Sequence, residues 1–171
     1  MKKGLLTLAF IVCVALTASA QKFAYVNTEY ILKKIPAYKT AQDQLDRLTQ
    51  QYEKEIEARY QKLEELYKSY QADKVLLTED MKQRRENEII TKEREAKELQ
   101  RTYFGQDGSL DKKKDELLKP IQEKISTAIK ELATQDGYAV IFDSAANPSM
   151  LYTAPRYDLS DKILEKLGYK N

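Results

Sequence analysis

Between residues 37 and 73 the chain contains neither glycine nor proline. Across that stretch apolar side chains recur at Tyr38, Ala41, Leu45, Leu48, Tyr52, Ile56, Tyr60, Leu63, Tyr67 and Tyr70. The steps are mostly three and four residues, which places them on one stripe of a helix. Two successive steps of four, from Tyr52 to Ile56 to Tyr60, mark a stutter in a heptad seam. At 1.5 Å per residue such a helix is roughly 50 Å long, more than the width of a small globular domain. Its remaining faces carry Lys, Arg, Glu, Asp and Gln, so it must stand in water on most sides. A chain built around this rod needs a second helix along the seam, not a ball of layers.

The second helix follows. Lys74-Val75-Leu76-Leu77 interrupts the pattern, and Thr78 then has the character of an N-cap, with Glu79 and Asp80 in the first turn at the positive end of the helix dipole. The region near 74–78 is therefore expected to be the tip of an antiparallel hairpin. The return arm is lean, with Met81, Ile89, Ile90, Ala96, Leu99 and Tyr103 as its apolar side chains. A thin seam of this kind predicts a locally weak element. Gly105-Gln106-Asp107-Gly108 breaks the arm. Leu117, Ile121, Ile125, Ala128, Ile129 and Leu132 then form a stronger stripe, with Pro120 predicting a kink or a fresh helix start.

The two ends read differently. Phe23-Ala24-Tyr25-Val26 is an aromatic, β-branched run and a strand candidate, followed by Asn27 or Thr28 capping a short helix that ends at Pro36. Tyr138-Ala139-Val140-Ile141-Phe142 is the strongest strand in the sequence, set between Gly137 and Asp143. Met150-Leu151-Tyr152-Thr153 is expected as a further strand, paired with it as a hairpin across Asn147-Pro148-Ser149. A last amphipathic helix carries Leu159, Ile163, Leu164 and Leu167 and stops at Gly168. The fold class is accordingly α+β, mostly α: a long helical (coiled-coil) hairpin arm over 37–136 and a small β-rich body from 21–36 and 137–171, together one domain. Three short strands bury too little apolar area to stand alone, so the body is expected to be shared among subunits.

The first 20 residues are set apart from this fold. Lys2 and Lys3, an apolar run over 5–16 and Ala18-Ser19-Ala20 have the three parts of a cleaved secretory signal peptide. The apolar run is shorter than the roughly 20 residues of a membrane span. Cleavage would remove Cys13, the chain's one cysteine, and with it any disulfide. It would also remove Lys2 and Lys3, which equalises a count of 29 basic and 27 acidic residues. A neutral mature chain does not have the basic excess of a nucleic-acid or polyanion binder. Lys112-Lys113-Lys114 sits between Asp111 and Asp115-Glu116 and reads as a solvated helix face.

Chemistry is equally constrained. There is no histidine, which removes Ser-His-Asp and Cys-His catalysis and the usual zinc sites. No phosphate-binding glycine motif is present, so no cofactor and no nucleotide site is expected. The many carboxylates lack the concave scaffold that a glycosidase pair requires. The sequence does not read as an enzyme.

Lys22-Phe23-Ala24-Tyr25-Val26-Asn27 with its short helix resembles the opening of the Skp/OmpH family of periplasmic chaperones. Tyr138-Ala139-Val140-Ile141-Phe142-Asp143 is similar to that family's central strand, and Leu151-Tyr152 with the helix after Asp158-Leu159-Ser160-Asp161 also fits. The resemblance covers essentially the whole mature chain and rests on the order of elements. It implies a periplasmic homotrimer whose β body carries three helical arms around a cavity for unfolded outer-membrane β-barrel proteins. Peripheral contact with the membrane or with lipopolysaccharide belongs to the same set of implied partners, although the best-known members are strongly basic and this mature chain is neutral. With no nucleotide site, such a chaperone would be a passive, ATP-independent holdase acting through many weak contacts.

Tyrosine, with an apolar ring and a polar tip, suits that task, and there are 12 tyrosines and no tryptophan. The candidate client contacts are Tyr60, Tyr67, Tyr70, Val75, Leu76, Leu77 and Met81. For the tyrosines the competing role is the hairpin seam, and for the tip residues it is closure of the turn. The candidate oligomerisation residues are Phe23, Tyr25, Val26, Val140, Phe142 and Leu151. The competing function is a structural or adaptor coiled-coil protein of the cell envelope, which would bind one folded partner instead of unfolded chains.

Overall fold

A computed structural model describes residues 21–147 and 149–169. The expected signal peptide and Pro148 lie outside the described residues. The elements are β1 (Lys22–Val26), α1 (Thr28–Lys34), α2 (Pro36–Asp73), α3 (Glu79–Phe104), α4 (Ser109–Asp136), β2 (Tyr138–Asp143), a 3-10 turn (Pro155–Tyr157) and α5 (Ser160–Lys166). The class is α+β, dominated by helix. The described residues divide into two compact units, 35–123 and the rest, with the division falling inside α4 between residues 123 and 124.

The first unit is the antiparallel hairpin. Pro36 occupies the first turn of α2, where its missing N–H costs nothing. The 38-residue helix then runs unbroken. At the tip the Thr78 side chain caps α3 by accepting from the Met81 amide (3.4 Å), and Glu79 and Asp80 fill the first turn. Antiparallel order is explicit in the cross-hairpin contacts. Glu55 and Tyr52 meet Tyr103, Tyr60 meets Gln100, and Tyr70 meets Glu86. The return strand is two helices, α3 and the start of α4, separated at Gly105–Gly108 as the glycines foretell.

The second unit is a two-stranded parallel sheet with its helices. Phe23 pairs with Val140, Ala24 with Ile141, Tyr25 with Phe142 and Val26 with Asp143. Alternation along the strands puts Phe23, Tyr25, Val140 and Phe142 on one face and Ala24, Val26 and Ile141 on the other. Ala24 and Val26 are buried, as are Ile31, Leu159, Ile163 and Leu164, and α1 packs against α5. Ile125, Ala128 and Leu132 of α4 are buried too. Asn27 caps α1 by accepting from the Tyr30 amide (2.9 Å), and Gly137 and Gly168 end α4 and α5 at φ 71° and 87°, where a Cβ would be strained.

Two sequence expectations are corrected. Residues 150–153 form no strand, and β2 is joined in parallel to β1 instead of in a hairpin. The Asn147 side chain and carbonyl turn the chain by accepting from the Ser149 and Met150 amides. Leu151 is then left 95% exposed, because within one chain it has no strand to lie against. Of the two outcomes expected at Pro120, a kink or a fresh start, the fresh start does not occur, since α4 is continuous across it. Pro120 and Glu116, whose carbonyl loses its partner, are both on the solvent side, where water replaces the missing bond.

Candidate functional surfaces

The hairpin keeps its apolar interior at one end. Ala41, Leu45 and Leu118 form a buried cluster, flanked by Tyr38, Leu110, Leu117 and Ile121. Above it the seam mixes half-buried aliphatic residues, Ile56, Leu63, Leu66, Ile89 and Leu99, with aromatic and polar contacts. Tyr52 stacks on Tyr103 at 3.8 Å with ring planes 8° apart, and Phe104 meets Tyr52 edge-on at 6.1 Å. The Tyr103 hydroxyl donates to Glu55 Oε2 (2.6 Å), and the Tyr70 hydroxyl donates to Glu86. The Lys74 ammonium lies 5.4 Å from the centre of the Tyr70 ring. Some of the charges outside the seam pair one helical turn apart, such as Lys68–Glu64, Arg84–Asp80 and Lys97–Glu93.

Among the candidate client residues, Val75 and Leu76 are 91% and 86% exposed, and Tyr67, Met81 and Tyr60 are exposed along the helices. Leu77 is half-buried at the turn. Tyr70 is only 5% exposed and is withdrawn from the set, since its hydroxyl and ring are both taken up inside the hairpin. The stripe read from the sequence shifts by one residue there: Leu66, not Tyr67, sits in the half-buried seam between Leu63 and Tyr70, and Tyr67 faces out. Ile90, which the sequence pattern counts with the return arm's apolar residues, is exposed, as is Phe104, which that pattern does not include. Adjacent Ile89 and Ile90 cannot both face one neighbour, and that was the available signal.

Of the assembly candidates, Phe23, Val140 and Phe142 are exposed on one sheet face, and Leu151, outside the strands, is more exposed still. Tyr152 and Tyr157 are exposed with them and were missed. Phe23, Phe142, Met150, Tyr152 and Tyr157 line an open cleft of about 840 Å³. Tyr25 and Val26 are buried within the single chain and leave little area for a partner, so they are withdrawn. Val26 points into the core, and Asp158 bridges against Tyr25. Among the described residues β2 has a strand on one edge only.

The hairpin's ionisable groups make a pH prediction. The Glu55 carboxyl is held below its ordinary value, first by the Tyr103 hydroxyl, then by Gln51, with Arg59 adding attraction. Lys92 does the same for Glu95, and Lys82 for Glu79. Folded values below unfolded ones give stability that is present above the ordinary glutamate pKa of about 4.3 and is lost as pH falls through the lowered values. Tyr70 is pushed up to about 12, chiefly by its bond to Glu86, so that contribution persists to the far alkaline side. Thermal melts followed by helical circular dichroism should show a plateau around neutrality and a fall in acid. Glu55→Gln should shallow the acid fall; an identical profile in the variant would remove Glu55 from the account.

Among the described residues no helix is long and apolar enough to cross a membrane, and no cluster of metal-binding side chains converges.

Residues 22–167 match the family model described as outer membrane protein (OmpH-like). Over 169 residues the chain is 26% identical to the chaperone protein Skp of Yersinia enterocolitica, covering 98% of this chain and 99% of that one. A protein of Aquifex aeolicus is 28% identical over 145 residues, or 85% of each. The crystal structure of an OmpH-like chain from Caulobacter crescentus superposes with a TM-score of 0.67 at 14% identity, covering 87% of this chain and 85% of that one, a likeness of fold.

Proposed function

The chain belongs to the OmpH-like outer membrane protein family, that of the chaperone Skp, and from that membership we propose that it is an ATP-independent periplasmic holdase for unfolded outer-membrane β-barrel proteins. The observation that carries the reading is the hairpin tip. Val75 and Leu76 stand in water with none of the chain packed over them, in the turn between two helices whose outer faces are charged. Unfolded chain can touch such a surface at many points without the surface collapsing on itself, and binding it slows aggregation.

In this reading the chain acts as a homotrimer. The sheet face of Phe23, Val140 and Phe142 is the natural site for neighbouring copies, since it is apolar and uncovered in one chain. Three hairpins then present their contacts together, and avidity replaces any single deep pocket. The neutral charge balance favours apolar over electrostatic capture, which weighs against lipopolysaccharide as a main ligand.

A denatured outer-membrane β-barrel diluted from urea with equimolar trimer, and no nucleotide, should stay soluble by light scattering. Aggregation at the same rate with and without the protein would remove the holdase. Retention of one folded envelope protein, with no general protection, would favour the adaptor role.

A further inference from the structure

We propose that the hairpin is two cooperative segments meeting at a built joint, residues 105–108, and that the Tyr52–Tyr103–Phe104 stack is the catch holding the tip segment shut. The stem segment is residues 36–51 with 109–123. The tip segment is residues 53–104.

Packing separates the two. The stem has the contiguous cluster of Ala41, Leu45 and Leu118. In the tip segment Tyr70 and Ala96 are the fully buried apolar residues among those described, spread over a longer seam in which Ile56, Leu63, Leu66, Ile89 and Leu99 are half-buried and the cross-hairpin bonds join polar tips. A long seam without a contiguous buried cluster opens at lower free energy per residue than one with a core.

The backbone separates them as well. The Gly105 amide closes α3 on the Arg101 carbonyl (2.8 Å), and the Lys112 amide opens α4 on the Gly108 carbonyl (3.1 Å). Between them only the link's own bond, from the Gly108 amide to the Gly105 carbonyl (2.9 Å), remains. The cooperative helix ladder is therefore cut on the return strand. The cut is no slack loop. A Cβ on Gly108 would lie 2.8 to 3.0 Å from the carbonyl oxygens of Gly105, Tyr103 and Thr102, and one on Gly105 would lie 2.4 Å from that of Arg101. Asp107 takes φ 56° between them. The link has one geometry, and only glycine fits it at both ends.

The aromatic stack sits at this cut. Tyr103 and Phe104 are the last residues of α3, and Tyr52 lies opposite on the unbroken α2. Their contact, with the Tyr103–Glu55 bond, is what couples the end of the tip segment to the long helix. Release of the catch would free the tip segment while the stem stays closed. The joint stands apart from the chaperone reading, because it is tested on client-free protein.

Hydrogen exchange read by mass spectrometry on the full mature chain, in its native assembly, tests this. In the wild type, amides across 55–102 should exchange as one block, faster than those of the stem. Tyr52→Ala should speed that block about tenfold, the scale of one aromatic pair, and leave the stem within about twofold. Tyr103→Phe keeps the stack but drops the Glu55 bond, and should give a smaller shift of the same pattern even if the first variant folds poorly. One common opening for stem and tip, or acceleration confined to the turn around residue 52, would overturn the joint.

Discussion

Phe142→Glu is expected to take the assembled protein apart. In one chain Phe142 is 43% exposed, so a carboxylate there reaches water and the isolated fold tolerates it. In an assembly that covers the sheet face, the same carboxylate loses its water, and Lys22 and Arg156, the cations lining the same cleft, offset only part of that loss. Its register neighbours on that face are Phe23, Val140 and Tyr25. Burying an unpaired charge costs several kcal/mol in a relaxed protein site. At about 1.4 kcal/mol per tenfold, a penalty of about 3 kcal/mol in each subunit moves the dissociation midpoint by at least two orders of magnitude. Sedimentation at micromolar concentration should show wild type as trimer and the variant as monomer. Hairpin helicity should largely survive, since the Ala41–Leu45–Leu118 cluster lies within the hairpin itself. A variant that keeps the wild-type mass would show that this face is not the interface.

Much of this architecture was legible because helix punctuation is local. Pro36, Gly105, Gly108, Gly137 and Gly168 act through their own backbone and Thr78 through a side chain that reaches three residues on, and each marks the element boundary that the sequence predicts. Strand pairing is not local. Met150-Leu151-Tyr152-Thr153 has strand composition, yet whether it becomes a strand depends on an edge elsewhere, and a single chain offers it none. Choosing the exposed residues was harder still. Tyr67 and Leu66 are neighbours, and either continues a three-four stripe; only the side on which α3 lies decides that Leu66 goes in. Tyr70 fits a client surface by residue type, but Glu86 accepts its hydroxyl and Lys74 covers its ring, both from positions that hairpin geometry sets. The tip was the easiest part, because a turn between two polar helices has nothing to bury Val75 and Leu76.

That simplicity makes the tip the cleanest place to measure client capture. Val75→Ser with Leu76→Ser removes two apolar side chains that cover nothing in the fold. The melting temperature and the trimer mass should therefore not change, which separates this variant from Phe142→Glu. Full burial of a valine or leucine side chain is worth about 1.5 to 3 kcal/mol. A shifting, incomplete contact with unfolded chain recovers only part of that, about 1 kcal/mol for each residue. The loss falls on every arm of the assembly at once, and linked contacts compound. An apparent dissociation constant at least tenfold weaker is the expected result. The absence of tryptophan gives a direct readout, because the fluorescence of a tryptophan-bearing β-barrel client then reports binding with no background from the chaperone. An unchanged constant would move the capture surface off the tip and onto the helix flanks, where Tyr60, Tyr67, Met81, Ile90 and Phe104 are the exposed apolar side chains left to carry it.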